Sequence, residues 1–143
     1  MSVTSTQVQW IGGQKYLGID STRHSIVMSS VAEGIGVKPA ETLLLSLAAC
    51  TAHDVVEILA KKRTPLTSLE IVTTAEQDPN PPWPFRKIHL KYCISGAGLT
   101  PKAVEQAIHL SEEKYCAVAA TLRGVAEITT EFEIVEPDQG AQK

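Results

Sequence analysis

The chain has 143 residues, 43% of them hydrophobic, and its 13 Lys and Arg residues are set against 16 Asp and Glu residues. This length is sufficient for one domain with its own hydrophobic core and leaves no room for a second. The formal net charge of −3 argues against a general nucleic-acid-binding protein, because such proteins normally carry a basic excess.

Neither a membrane segment nor a secretory signal is expected. No run approaches the ~20 apolar residues of a membrane span, and the polar N-terminus lacks a basic region followed by an apolar one. Three cysteines in a chain of this kind favour cytosolic thiols over a secreted disulfide framework. We therefore expect a cytoplasmic protein that binds neither a membrane nor nucleic acid.

Short strands are predicted in the first third of the chain. Residues 3–11 and 15–20 are separated by Gly12 and Gly13, and a Gly-Gly pair between two such segments is a hairpin signal. A third strand is predicted over residues 25–29.

A long helix is predicted over residues 39–63. Pro39 suits the first helical position, Glu41 complements the helix dipole, and Pro65 follows the basic last turn. Residues 43–49 are almost all apolar and point in every direction around the axis. We expect this half of the helix to be buried on all sides.

The rest of the chain alternates between strands and helices. Thr100 is the predicted N-cap of the next helix. In chain order we predict a strand over residues 69–76, a proline-rich loop over 78–84, a strand over 87–94, a helix over 101–115, a second helical piece over 116–122 and a strand over 126–134. This order predicts an α+β fold, with a mostly antiparallel sheet whose inner face is covered by helices.

Two cysteines lie in runs of small residues. Cys50 and Cys116 are both surrounded by alanines, which allow two backbones to approach closely. A disulfide needs Cα atoms roughly 4.4–6.8 Å apart, closer than the ~8–10 Å between the axes of ordinary packed helices. The runs are therefore compatible with a reactive thiol pair, but the spacing alone favours two inert cysteines in an alanine-rich core.

A metal site is a further alternative. Cys50 and His53 share a helix face, and Cys116 could add a third ligand, which is the ligand count of a catalytic zinc site. The spacing lacks the signatures of known zinc motifs, so we expect neither a metal nor a cofactor. Cys93 falls on the strand face away from the core and is expected to be an exposed, incidental thiol.

Two segments resemble the motifs of a known family. Residues 36–51, GVKPAETLLLSLAACT, resemble the central-helix motif of the OsmC/Ohr family of osmotically inducible and organic hydroperoxide resistance proteins. Residues 111–118, SEEKYCAV, resemble the second motif of that family. The resemblance extends over roughly residues 3–136, and residues 54–59 are closer to the OsmC-like branch than to the organic hydroperoxide branch.

The resemblance implies a thiol-dependent peroxidase with an antioxidant role in stress. Cys50 would attack an organic hydroperoxide, Cys116 would resolve the resulting sulfenic acid as a disulfide, and an external thiol or dithiol would reduce it. It also implies an OsmC-like fold, a curved sheet packed on a long central helix in an intertwined homodimer. We expect a single OsmC-like domain over residues 1–136 and a polar tail over residues 137–143.

Two supporting residues of the family are not matched by position. Family members with hydroperoxidase activity hold a glutamate ten positions before the first cysteine, where this chain has Ala40; Glu41 lies about 100° further around the helix. The family's thiolate-stabilising arginine comes from the first hairpin, where Lys15 or Arg23 are the candidate substitutes. The departures support a second hypothesis, a non-enzymatic, small-molecule-binding dimer that keeps the thiols.

Overall fold

The structure is a computed structural model and describes residues 1–136. The predicted polar tail, residues 137–143, lies outside the described residues. The chain divides into two compact units, Met1–Leu43 and the chain from Leu44 onward. The single domain expected over residues 1–136 stays a prediction.

The first unit is a three-stranded antiparallel sheet. Its strands, in spatial order, are β1 (Gln7–Trp10), β2 (Lys15–Ile19) and β3 (Ser25–Ser29). The hairpin predicted between the first two strands is present, and Gly12 and Gly13 form its turn with φ of 100° and 55°, which glycine adopts without strain. Strand β1 is shorter than the predicted segment, and β3 matches its predicted bounds.

The predicted long helix begins with a 3₁₀ turn, Pro39–Glu41, and continues as helix α1 (Thr42–Lys61). Arg63 ends it in the left-handed region with φ of 62°. The N–H of Thr64 donates to the carbonyl of Leu59 at 2.9 Å, as in a Schellman motif.

Burial along α1 is confined to one stripe. The buried residues recur every fourth position: Leu47, Thr51, Val55 and Leu59. Leu43 and Leu45, in contrast, are 38% and 52% exposed. The prediction of all-round burial is wrong for the single chain, since only one face of the helix packs against its other elements.

The expectation that no segment is apolar enough for a membrane span also needs correction. Among the described residues, Pro39–Lys61 has the length and composition to cross a membrane. Its buried stripe packs into a protein core, as expected for a core helix. Length and composition alone do not separate a core helix from a membrane span.

The second unit contains a mixed sheet and two further helices. Strands β4 (Ser68–Gln77), β5 (Phe85–Ser95) and β6 (Glu127–Ile134) lie in that spatial order, with β4 antiparallel and β6 parallel to β5. Between β5 and β6 the chain forms α2 (Pro101–Leu110) and α3 (Ala117–Leu122).

The alternation of apolar and polar residues on β5 predicts which side chains form the core of this unit. On β5 every second residue from Ile88 to Ile94 is buried, as the alternating pattern predicts. These side chains pack with the buried stripe of α1 and with apolar residues of α2 and α3. The α+β class and the mostly antiparallel pairing are confirmed within residues 1–136, although the strands form two separate sheets.

Candidate functional site

The structure brings together the two cysteines in alanine-rich runs. The Sγ atoms of Cys50 and Cys116 and a carboxylate oxygen of Asp54 all lie within 4.8 Å of one another. Cys50 is half-buried and Cys116 is only 2% exposed. Both thiols are free, and their sulfurs lie close to each other in one cluster.

Helix α1 supplies Cys50 and Asp54 to this cysteine cluster. The two residues are four positions apart, so they project from the same face of the helix. Ser111, which is fully buried, donates its hydroxyl hydrogen to Asp54 Oδ2 at 2.8 Å. This bond fixes the orientation of the carboxylate beside the sulfurs.

A π-helical turn positions Cys116. Helix α2 ends at Leu110, and the segment Ser111–Tyr115 forms one wide turn, closed by the Cys116 N–H donating to the Ser111 carbonyl at 2.8 Å. The helical segment ends at Tyr115, as predicted for residues 101–115, but its last turn is π-helical. Such turns are rare and are frequent at functional sites. Here the turn directs both of its ends, Ser111 and Cys116, towards α1.

Cys116 also begins helix α3. Its backbone is extended, with φ −81° and ψ 105°, and its Sγ accepts the N–H of Ala119 at 3.3 Å. Burial raises the pKa of the Cys116 thiol to about 11; the Ala119 N–H acts in the opposite direction, and the neighbouring Cys50 acts with burial. Cys116 is therefore a protonated thiol near neutral pH.

The side chain of Tyr92 on β5 lies near the cysteine cluster, because Cys116 and Asp54 both act on its hydroxyl. Its side chain is fully buried, and its hydroxyl makes no hydrogen bond of standard geometry within residues 1–136. Burial raises the pKa of Tyr92 to about 12; the Thr51 side chain acts in the opposite direction, and charges on Glu112, Cys116 and Asp54 act with burial.

Glu112 carries a second buried polar atom without a partner. Its Oε1 has no hydrogen bond among the described residues, and burial raises the pKa of the carboxyl, an effect to which Glu113 adds. The guanidinium of Arg123 donates to the Glu112 backbone carbonyl, which ties the π-helical turn to the end of α3.

A cavity of about 350 Å³ lies beside Asp54. This volume is within the range of pockets that hold small organic ligands. Its wall combines apolar and charged side chains, among them Ile58, Leu110, Tyr115, Lys61 and Lys62. Asp54 lies in both the cavity wall and the cysteine cluster, whereas Cys50 and Cys116 do not line the cavity.

Comparison with known proteins identifies the family of the chain. Residues 32–131 match the family described as OsmC-like protein. The chain belongs to the OsmC-like family. Protein YhfA of Escherichia coli strain K12 is 35% identical over 129 residues, which cover 90% of this chain and 96% of YhfA. The family expected from the two sequence motifs is thereby confirmed.

Solved structures share the OsmC-like fold. The crystal structure of an OsmC-like protein from Mycoplasma pneumoniae superposes with a TM-score of 0.81 at 19% identity, covering 94% of this chain and 99% of that one. The organic hydroperoxide resistance protein OhrB of Bacillus subtilis gives a TM-score of 0.61 at 13% identity, covering 92% and 98%. At these identities the likeness concerns the fold.

The other residues that the OsmC resemblance suggested lie in the first unit. Lys15 Nζ is 3.8 Å from Glu33 Oε2, and Glu41 Oε1 is 3.1 Å from Lys38 Nζ. Arg23 lies in the turn between β2 and β3, with φ of 68°. The roles of Lys15, Arg23 and Glu41 in activating a thiol stay predictions.

Sequence analysis missed three neighbours of the OsmC cysteine pair. Asp54 was detectable, because it follows Cys50 by one helical turn. His53, the ligand considered instead, is 78% exposed and lies outside the cysteine cluster. Ser111 and Tyr92 carried no such signal, since a π-helical turn and the packing of a distant strand place them there.

Cys93 lies on the other face of β5. Tyr92 points into the core, so the next residue along the strand points away from it. Cys93 is half-buried and is not among the three residues of the cysteine cluster. Its predicted position, on the strand face away from the core, is confirmed, but the residue is half-buried and not exposed as predicted.

Proposed function

We propose that this OsmC-like protein is a thiol-dependent peroxidase that reduces organic hydroperoxides through Cys50 and Cys116. The observation that carries the proposal is the approach of the two sulfurs to within 4.8 Å, from a long helix and from a π-helical turn. A pair at this distance can alternate between two thiols and a disulfide.

In the proposed cycle the Cys50 thiolate attacks the terminal oxygen of the hydroperoxide. The O–O bond breaks, Cys50 becomes a sulfenic acid, and the alkoxide leaves and takes up a proton to give the alcohol. The Cys116 thiol then displaces the hydroxyl of the sulfenic acid, which releases water and forms the disulfide. An external dithiol donates two electrons and two protons to restore both thiols.

The different environments of the cysteines support this order of roles. Cys50 is half-buried and lies one helical turn before Asp54, which lines the cavity, whereas Cys116 is almost fully buried. The raised pKa of Cys116 keeps it a neutral thiol. This is consistent with a resolving cysteine, which reacts only after Cys50 has become a sulfenic acid. The apolar part of the cavity would receive the organic group of the substrate.

A homodimer is part of the proposal. One face of the first sheet carries Val8, Trp10, Tyr16, Ile26 and Met28. Of residues 1–43, all of which the structure describes, only Gly18 and Ser29 are buried. An apolar face of this kind, rimmed by polar residues, marks an association site, and a second copy of the chain would cover it. We place this dimer in the cytoplasm, where dithiol reductants are available.

Peroxide consumption tests the function. Purified protein is given cumene hydroperoxide or tert-butyl hydroperoxide with a dithiol reductant, and peroxide loss is followed with time. Cys50→Ser should abolish turnover, whereas Cys116→Ser should keep the first oxidation and leave Cys50 prone to irreversible over-oxidation. Cys93→Ser is the matched control and should turn over like the unaltered protein.

One outcome would favour the non-enzymatic alternative. The glutamate and arginine positions of the active family members are not matched in this sequence, which is the observation that favours a small-molecule-binding dimer. If Cys50→Ser leaves peroxide consumption unchanged, the peroxidase proposal is wrong and the binding dimer replaces it.

A further inference from the structure

We propose that Cys50, Asp54 and Cys116 form, in the reduced protein, a binding site for a thiophilic divalent cation such as Zn²⁺. The site does not depend on the proposed peroxidase activity. It differs from the sequence-based alternative in using Asp54 in place of His53.

The distances suit a tetrahedral ion. With Zn–S bonds of ~2.3 Å, two sulfurs on one zinc ion lie ~3.8 Å apart. The three ligand atoms already lie within 4.8 Å of one another, so each would move by about 1 Å or less to close on an ion. The two thiols and a carboxylate come from two separate segments, α1 and the end of the π-helical turn.

The carboxylate of the site is already oriented. Ser111 is fully buried and donates its hydroxyl hydrogen to Asp54 Oδ2 at 2.8 Å. A hydrogen bond from behind a ligating carboxylate is the usual outer-shell arrangement of metal sites.

A second observation points to an occupant. The Tyr92 hydroxyl is fully buried and has no hydrogen-bond partner within the described residues, although buried hydroxyls are nearly always satisfied. The Thr51 side chain acts on this hydroxyl, as do the charges of Glu112 and of Cys116 and Asp54 in the cluster. A water molecule held in the open position of a bound ion would offer this hydroxyl a partner.

The donor set selects the class of ion. Two thiolates favour soft or borderline ions over Mg²⁺ and Ca²⁺, which prefer oxygen ligands. Three protein ligands leave one coordination position open. Each thiol loses its proton when it binds the ion, and a disulfide between the same sulfurs provides no thiolate. The bound and disulfide states of the pair therefore exclude each other.

Co²⁺ serves as the spectroscopic probe of the site. Reduced full-length protein, freed of metal with a chelator, is titrated with Co²⁺ alone and then with Zn²⁺. We expect one Co²⁺ per chain, sulfur-to-cobalt charge-transfer bands, the strong visible bands of tetrahedral cobalt, and displacement by Zn²⁺. Absence of charge-transfer bands, or bands of equal strength in the protein oxidised to the disulfide, would overturn the proposal.

Variants separate the ligands from their surroundings. Cys50→Ser and Cys116→Ser should each remove at least one thiolate band. Asp54→Asn can still accept the Ser111 hydrogen bond, so it should keep the fold while weakening Zn²⁺ binding by roughly 10-fold or more. Circular dichroism and the melting temperature verify folding; a folded Asp54→Asn protein with unchanged affinity would contradict the assignment.

Two controls complete the test. Glu57→Gln changes an exposed acid on the same helix that pairs with Lys61, and Cys93→Ser removes the remaining thiol. Both should bind Co²⁺ like the unaltered protein. A loss of binding in Cys93→Ser would show that the ion binds at a site other than the one proposed. Failure of metal binding while peroxide consumption persists would reject only the metal site; the opposite result would reject only the peroxidase.

Discussion

The two units of the chain differ in how much apolar surface each one covers. Residues 44–136 bury a continuous set of aliphatic side chains from α1, β5 and α2, and the cysteine cluster lies beside that set. Residues 1–43 also form a three-stranded sheet, but the apolar side chains of this sheet remain largely exposed. One unit has its own core, whereas the other leaves most of its apolar side chains exposed in the single chain.

This difference separates two kinds of substitution. Apolar residues of the second unit should act on folding, because their removal leaves a cavity in a packed core. Apolar residues of the first unit should act on association, since they are exposed in the single chain. Each of the following tests could remove or sharpen that distinction.

The largest expected effect is on the core of the second unit. Ile94 on β5 is fully buried, and its register partner on β6, Ile134, is 37% exposed. Ile94→Ala should lower the free energy of unfolding by about 2–5 kcal/mol. Ile134→Ala, the matched control, should cost about 1 kcal/mol or less. Urea denaturation measures both; equal losses would show that β6 is covered by something else.

An alkaline effect of about 3 kcal/mol is expected from Tyr92. Its pKa is raised to about 12 by burial, whereas a tyrosine in the unfolded chain titrates near 10. The folded state thus holds a proton that the unfolded state loses. The contribution of Tyr92 to the free energy of unfolding is therefore fully present below about pH 10 and is lost as the pH rises towards 12.

Tyr92→Phe should weaken that alkaline loss. The remaining slope would come in part from Cys116, whose pKa is raised to about 11 and which acts with the same sign. Near pH 7 the substitution should be neutral or slightly stabilising, because it removes a buried hydroxyl without a hydrogen bond in the described chain. Unfolding curves between pH 7 and pH 11 measure the effect, and an unchanged slope would contradict the account of Tyr92.

The smallest expected effect on folding is in the first unit. Val8 is 64% exposed and lies opposite Gly18, which in turn lies opposite Ile26 on the apolar face. Val8→Asp should weaken the dimer by roughly 10-fold or more, because it places a charge in an apolar interface. Sedimentation at low micromolar concentration measures it, with Gln9→Asp as the control. A stable monomer of the unaltered protein would remove the dimer from the proposal.

Much of the fold could be predicted from the sequence, because local sequence patterns determine where these helices and strands form. Pro39 at the start of the long helix, Thr100 as an N-cap and the alternation on β5 each predicted the observed element. The Thr100 hydroxyl accepts the N–H of Ala103 at 3.2 Å, as the cap prediction requires. Helix, cap and strand patterns are determined by neighbouring residues.

The missed features depend on residues distant in sequence. The burial of α1 follows from which of its faces meets the sheet, and the periodicity of an all-apolar segment cannot select that face. The π-helical turn at Ser111–Tyr115 has no sequence pattern that separates it from a continuing helix. For the same reason Cys50 and Cys116 were identified by motif, while Ser111 and Tyr92 became visible only in three dimensions.

The proposal that Cys50 and Cys116 form a redox pair is tested most directly by mapping disulfides after oxidation. Reduced protein receives one equivalent of cumene hydroperoxide, free thiols are blocked, and peptides are analysed by mass spectrometry without reduction. The account predicts the loss of two hydrogens per chain, a Cys50–Cys116 link and a blocked Cys93 thiol. A link to Cys93, or two free thiols at Cys50 and Cys116 after the peroxide is consumed, would contradict it.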